Sequence, residues 1–132
     1  MTCIFCNDIR PEQILAETDY FKVVFDIQPI QQGHLLIISK AHRVDIRELS
    51  SPELLELVRL ERDLTAAIYE SFDKIDGVTI VENNGAVMDE GTHLHVHVIP
   101  RYKEDDFWKH QVIQLHENNI NELKRKINGI NR

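Results

Sequence analysis

The chain of 132 residues is most simply one domain, and it is long enough to bury a core. Its composition, 42% hydrophobic and 28% charged residues, is typical of a soluble globular protein, and no apolar run reaches the length of a membrane span. The net charge of −7 disfavours a nucleic-acid polymer as partner, because its phosphates would be repelled. Since the N-terminus also lacks a basic-then-apolar signal pattern, we expect a cytoplasmic protein with no membrane attachment.

Cys3 and Cys6 are the only cysteines of the chain. In a reducing compartment this CxxC spacing indicates half of a metal site or a redox pair, and not a structural disulfide. A redox pair is expected near a βαβ pattern, which is absent here. Two thiolates would supply half of a tetrahedral Cys₂His₂ shell, and the seven histidines of the chain offer the rest.

Two short strands are predicted next, over residues 14–18 and 21–27, joined as a hairpin. Asp26 follows the apolar run of the second strand, where a solvated loop acid and a site residue are equally good interpretations. Residues 34–38 then form an almost continuous apolar run after His34, which suits a central strand buried on both faces. His34 and His42 lie near the two ends of this strand, as ordinary polar residues or as parts of a site.

A long helix is predicted from residue 50 to about residue 72, because serine, proline and an early acid form a typical helix start. Apolar residues recur along it at helical spacing, and we interpret this stripe as core. The stripe contains Leu54, Leu57, Val58, Leu64, Ile68 and Phe72. A strand over residues 78–81 follows and ends in the turn residues 83–85.

Residues 93–99 alternate between imidazole and apolar side chains, which is the period of a β-strand. Leu94, Val96 and Val98 are expected to face the core, with His93, His95 and His97 on the opposite face. Successive imidazoles should lie roughly 7 Å apart. A half-exposed strand with polar residues outward would show the same period, but three histidines in these positions favour a functional site. Pro100 removes a ladder donor and is expected to end the strand.

The chain becomes polar after Arg101, and we expect a C-terminal tail from about residue 103. Residues 113–127 are predicted to contain a closing helix, with Ile120, Leu123 and Ile127 on one side.

The pattern His-φ-His-φ-His-φ-φ, in which φ is apolar, resembles the defining motif of the histidine triad (HIT) family of nucleotide hydrolases and transferases. Further pieces follow in the family's order over residues 3–101, namely Asp26-Ile27, Gly33-His34, Lys40-Ala41-His42, Asn83-Asn84-Gly85 and Pro100-Arg101. The resemblance implies an α+β HIT-like fold over residues 1–132: an antiparallel β-sheet with one long helix and a C-terminal helix. It also implies a homodimer.

The implied activity is cleavage of a phosphoanhydride or phosphoramidate at the α-phosphorus of a nucleotide, through a covalent nucleotidyl-histidine. Dinucleoside polyphosphates and nucleoside phosphoramidates are the substrate classes. By resemblance His95 is the nucleophile, while His97 and His34 contact the phosphate. A neutral imidazole can attack phosphorus if its other nitrogen donates to a fixed acceptor.

The resemblance also assigns the nucleotide-binding residues. Asp26 corresponds to the acid that accepts hydrogen bonds from ribose hydroxyls, and Asn83 to a polar contact beside the phosphate. Ile4, Phe5 and Ile27 correspond to walls of the base pocket.

One loop departs from the family pattern. Many members carry Ala-Gly-Gln-hydroxyl-Val before the first triad histidine, whereas this chain has Met88-Asp89-Glu90-Gly91-Thr92 there. Thr92 is the candidate for the hydroxyl position. An acid at Asp89 or Glu90 would disfavour a polyanionic leaving group, so a nucleotide-binding regulatory protein with little turnover remains an alternative function.

Zinc-bearing members of the family pair a CxxC with two histidines that correspond to His42 and His93. The resemblance therefore implies one structural zinc on Cys3, Cys6, His42 and His93, and a metal-free pair of thiols is the alternative. A catalytic zinc shared by the three alternate histidines is less favoured, because the spacing of roughly 7 Å is awkward for bonds of about 2.1 Å.

Overall fold

The computed structural model describes residues 2–130 and contains one antiparallel sheet of five strands in the order β1-β2-β3-β5-β4. The strands are β1 (Ile14–Glu17), β2 (Phe21–Phe25), β3 (Leu35–Ser39), β4 (Gly77–Glu82) and β5 (His95–Arg101). The helices are α1 (Ile4–Asn7), α2 (Ser51–Ser71) and α3 (Asn121–Asn128), with 3₁₀ turns at Pro11–Gln13, Ile46–Glu48 and Gly85–Val87. This architecture confirms the predicted α+β class with an antiparallel sheet, one long helix and a C-terminal helix.

The centre of the sheet is formed by β3 and β5, whose side chains alternate between its two faces. One layer lies between the sheet and α2, and its buried members include Val23, Ile37, Leu57, Ile68, Leu94, Val96 and Val98. The other face carries Val24, Leu36 and Ile38, covered by Phe5, Ile9 and Ile14 of the N-terminal segment. All five residues of β3 are buried, as predicted for a central strand.

The start of α2 is fixed by a capping box. Ser50 accepts a hydrogen bond from the Glu53 backbone N–H, and the Glu53 carboxylate accepts one from the Ser50 N–H. The predicted core stripe of α2 is correct for Leu57 and Ile68 but wrong for Leu54 and Val58, which are 36% and 59% exposed. These two residues lie one turn apart on a flank of α2, outside the strip that contacts the sheet.

Several predicted boundaries differ from the structure. Pro100 does not end β5, since the strand continues to Arg101. The β3 pairing stops at the Leu35–Val98 pair, so at Pro100 the strand is paired only with β4 and proline is tolerated as at a sheet edge. The C-terminal helix, predicted to lie within residues 113–127, spans Asn121–Asn128, and the first two strands end at Glu17 and Phe25, earlier than predicted. Within residues 2–130, no helix combines the length and apolar character needed to cross a membrane.

The backbone passes close to α2 at Gly33, just before β3. Gly33 has φ of +89°, and a Cβ built there would lie 2.8 Å from Cζ and 2.9 Å from Cε2 of Phe72. Only glycine meets both requirements without strain.

We expect Gly33→Ala to lower the free energy of unfolding by more than about 2 kcal/mol, because left-handed strain adds to an overpacked contact. Gly85→Ala is the matched control: Gly85 has φ of +77°, but nothing lies within 4 Å of its added Cβ. The control should cost only about 1 kcal/mol. Urea unfolding measures both, and adding Phe72→Leu should recover part of the loss at Gly33. Equal losses at the two glycines would show that the close approach to Phe72 has no energetic effect.

Candidate active site and metal centre

The three histidines of the predicted motif are all brought to the sheet face opposite α2, but only two of them belong to β5. His93 is fully buried and precedes the strand, whereas His95 and His97 lie within it. The ring centroids of His95 and His97 are 4.9 Å apart. They are closer than the expected 7 Å because side chains lean along the strand.

The orientation of His95 is fixed by a backbone carbonyl. Its Nδ1 lies 2.7 Å from the carbonyl oxygen of His93, so Nδ1–H donates and the proton of the neutral ring is held there. The other nitrogen, Nε2, consequently keeps its lone pair. The Phe5 and His95 rings pack edge to face, with centroids 4.9 Å apart.

His34 and His97 form a hydrogen-bonded pair beside Asp26. The backbone N–H of Ile30 donates to Nδ1 of His34 over 3.3 Å, so Nε2 of His34 carries the proton. That Nε2–H donates to Nδ1 of His97 over 2.9 Å, which leaves the proton of His97 on Nε2. Asp26 Oδ2 lies 3.4 Å from His34 Nε2. His97 Nε2–H is thus available as a donor to a phosphate oxygen.

Burial keeps this pair neutral. It lowers the pKa of His97 to about 4, helped by the neighbouring His95 and His34 and opposed by Asp26 and Asp89. Burial also lowers the pKa of His34, against the field of Asp26. Both rings therefore act at neutral pH as dipolar donors and acceptors, and not as cations.

These side chains line a pocket of about 620 Å³. All predicted nucleotide-contacting and catalytic positions border it, namely Ile4, Phe5, Asp26, Ile27, His34, Asn83, Thr92, His95 and His97. The Thr92 hydroxyl already makes a hydrogen bond within the protein, because it donates to the Asp89 carbonyl over 2.6 Å. The Ile27 side chain is 80% exposed.

Several pocket residues were not predicted from the sequence. Asp8, Ile9 and Gln13 come from the N-terminal segment, and Phe107 and Gln111 come from the tail. The aromatic Phe107-Trp108 pair in an otherwise polar tail is the feature that could have indicated the second group. Nothing in the sequence marked the first.

Cys3, Cys6, His42 and His93 form a separate cluster whose ligand atoms all lie within 4.8 Å of one another. Nδ1 of His93 is 3.2 Å from Cys3 Sγ and 3.4 Å from Cys6 Sγ, and Nδ1 of His42 is 3.2 Å from Cys6 Sγ. In a tetrahedral zinc site the S···N separation is about 3.6 Å, given bonds of about 2.3 and 2.05 Å. The donor set and its spacing therefore fit zinc.

The second nitrogen of His93 supports the same interpretation. Nε2–H donates to the Ser39 carbonyl over 2.6 Å, so Nδ1 presents its lone pair to the cysteines. Metal-binding histidines are usually held in this way by a backbone carbonyl or carboxylate. Burial lowers the pKa of His93, which favours the neutral ring that a metal requires.

A sequence profile of the HIT domain family matches residues 8–104, and the chain belongs to this family. An adenosine 5'-monophosphoramidase of Schizosaccharomyces pombe is 32% identical over 109 residues, which cover 80% of this chain and 78% of that protein. A HIT family protein from Bacillus anthracis has a similar structure, with a TM-score of 0.76, 28% identity and coverage of 98% of this chain and 97% of that one. A zinc-bound histidine triad family protein from Mycobacterium smegmatis gives a TM-score of 0.67 at 31% identity, covering 80% of this chain and 78% of that one.

We expect the free energy of unfolding to fall as the pH is lowered from 6.5 towards 4, in part because of His97. In this window the unfolded chain protonates His97 while the folded chain does not, so the unfolded state binds more protons and stability decreases with decreasing pH. His97→Asn should remove about 2 kcal/mol of that dependence.

Urea unfolding at several pH values measures the free energy of unfolding of variant and wild type. The contributions of other acid-sensitive groups cancel in the difference between the two. His110→Asn, at an exposed position of the tail, is the control. If the two variants behave alike, His97 does not hold a depressed pKa.

Proposed function

We propose that the protein is a nucleotide hydrolase or nucleotidyl transferase that cleaves its substrate at the α-phosphorus, with His95 as nucleophile. The observation that carries this proposal is the hydrogen bond from His95 Nδ1–H to the His93 carbonyl. It leaves the Nε2 lone pair for attack in a pocket that also contains the His34–His97 pair.

The reaction proceeds in two displacements. The Nε2 lone pair of His95 forms a bond to the α-phosphorus, and the bond from phosphorus to the leaving nitrogen or oxygen breaks with its electron pair. The leaving group takes up a proton and departs. Water then attacks the nucleotidyl-histidine, releases the nucleoside monophosphate and a proton, and returns His95 to its starting state. His97 Nε2–H stabilises the charge on the phosphoryl oxygens, since it is a preorganised donor.

The nucleoside is held on the β2–β3 side of the pocket. The Asp26 carboxylate accepts from the Gln28 N–H through one oxygen, and its other oxygen is directed towards His34, from where it can also accept from ribose hydroxyls. Ile4, Phe5 and Ile27 form the apolar walls for the base, and Asn83 and Thr92 contact the phosphate from the opposite side. The substrate is a nucleoside phosphoramidate or a dinucleoside polyphosphate, and the named activity of the S. pombe relative supports the first class.

Cys3, Cys6, His42 and His93 hold one structural zinc in this proposal. The metal would supply a crosslink between the N-terminal segment and the sheet, because Ile4 and Phe5 lie between the two cysteines and line the pocket. The zinc-bound M. smegmatis relative supports the assignment.

A homodimer remains part of the proposal. Leu54, Leu55 and Val58 give α2 an exposed apolar flank, and such a surface is suited to a two-fold contact between identical helices.

His95→Ala should reduce turnover of adenosine phosphoramidates and diadenosine polyphosphates by at least about a thousandfold, because the nucleophile is lost. Nucleotide affinity should change little, since the lost bond to phosphorus forms only during reaction. Wild-type protein should yield an acid-labile, base-stable nucleotidylated adduct that is absent from the variant. His110→Ala is the control and should retain activity.

Near-normal turnover in the His95 variant, or an adduct on another residue, would contradict the assignment. Tight nucleotide binding by wild-type protein without turnover would instead support the alternative of a regulatory nucleotide-binding protein.

Elemental analysis of protein purified without added metal should find about one zinc per chain. Removing one of four ligands by His42→Ala should weaken zinc binding about a hundredfold in competition with a chelator, because the binding free energy is shared among the ligands. Chelation should lower the melting temperature of the wild type more than that of the variant. His116→Ala, at an exposed tail position, is the control, and wild-type protein devoid of metal would refute the site.

A further inference from the structure

The acidic and basic side chains that line the pocket are nearly all of one sign. Among the described residues that line it, the acidic side chains are Asp8, Asp26 and Asp89, and there is no lysine or arginine. The imidazoles of His34 and His97 do not compensate, since burial keeps both neutral. A single phosphate can be held by neutral donors, but each further phosphate would enter a field of carboxylates without a cation.

The strand β5 lies between β3 and β4, so the pocket over it has a β3 side and a β4 side. His97 on β5 lies opposite Leu36 of β3 and Val81 of β4. Asp26 lies on the β3 side, where its backbone N–H donates to the His34 carbonyl, so the nucleoside occupies that side in the proposed function. The leaving group must then extend towards β4, beyond the nucleophile.

Asp89 belongs to the connection from β4 to β5 and borders the pocket from there. Its carbonyl accepts from the Thr92 hydroxyl, which fixes the loop beside the pocket. Its carboxylate makes no hydrogen bond or ion pair within the described part of the chain, and the residue borders the same pocket as His95 and His97. The negative charge of Asp89 acts on His97 and raises its pKa, against the larger effect of burial.

Phe107 gives the pocket an apolar wall. Arg101 binds both carboxylate oxygens of Asp105 over 2.6 and 2.8 Å, and Asp105 accepts from the Phe107 N–H over 3.2 Å. The Arg101 guanidinium also lies 4.1 Å from the centre of the Phe107 ring. This turn holds the ring at the pocket, where it can pack against the carbon chain of a leaving group.

We propose that Asp89 is a specificity-determining residue that selects a positively charged amine as leaving group and disfavours leaving groups that carry further phosphates. The inference rests on the proposed function and assigns the substrate class as nucleoside phosphoramidates whose amine bears a second, distant ammonium group. The alkyl stem contacts Phe107, and the ammonium pairs with the Asp89 carboxylate.

Three adenosine 5'-phosphoramidates of equal chain length test this inference, formed from 1,5-diaminopentane, pentylamine and 5-aminopentanoate. Their far ends are cationic, neutral and anionic, while the scissile P–N bond is the same. The measured quantity is kcat/KM, which includes departure of the amine but not hydrolysis of the shared adenylyl-histidine. Wild type should prefer the cationic over the neutral substrate by about fivefold, as expected for one charge pair in water at about 1 kcal/mol.

Asp89→Asn should bring the cationic-to-neutral ratio close to one, and Asp89→Lys should favour the anionic substrate. Glu90→Gln is the matched control, because Glu90 is the adjacent acid and does not line the pocket, so it should keep the wild-type ratio. Higher salt should also reduce the preference of the wild type.

The outcomes separate this inference from the proposed function. If none of the three compounds is cleaved faster by wild type than by His95→Ala, the proposed function fails and the inference with it. If the neutral compound is cleaved but the ratios do not respond to Asp89, only the inference is overturned. A wild-type preference for the anionic compound, or for diadenosine triphosphate over the cationic phosphoramidate, also overturns it.

Discussion

The two-residue repeat of β5 and the segment just before it is the constraint on which both the core and the site depend. Leu94, Val96 and Val98 are buried against α2, while the alternate positions place imidazoles on the other face. A shift of one residue in register would bury histidines under α2 and expose aliphatic side chains in the pocket. Pairing with β3 on one side and β4 on the other prevents that shift.

The backbone then decides what each imidazole can do. The Ser39 carbonyl accepts a hydrogen bond from His93 Nε2–H, and the His93 carbonyl accepts one from His95 Nδ1–H. The Ile30 N–H donates to Nδ1 of His34. Since these partners belong to the sheet and its connecting loops, the tautomers are fixed without charged side chains. His93 contributes twice: its ring lies in the cysteine cluster, and its carbonyl orients His95. Through this residue the proposed metal site and the proposed nucleophile share one piece of backbone.

Local sequence was sufficient where a single strand decides the structure. The period of residues 93–99 and the apolar run of β3 indicated the central strands, and the capping residues indicated α2. It was insufficient where two distant segments meet. The flank of α2 containing Leu54 and Val58 has the same spacing as its core strip, so periodicity cannot tell them apart. The four ligands of the cysteine cluster and the pocket residues could be predicted only from the family resemblance. The contact between His34 and His97 depends on the register of β3 against β5, which residue spacing does not reveal.

The neutrality of the His34–His97 pair follows from the same packing. Protonating His97 would place an N–H on Nδ1, directly facing the Nε2–H of His34 at 2.9 Å, and would add a charge in a half-buried position. Both effects disfavour the cation, although Asp26 and Asp89 favour it. A site that stabilises phosphoryl charge with fixed N–H dipoles avoids the desolvation of a buried cation. Such dipoles suit one phosphate better than several, because each added negative charge would need its own donors among side chains that here are largely apolar or acidic.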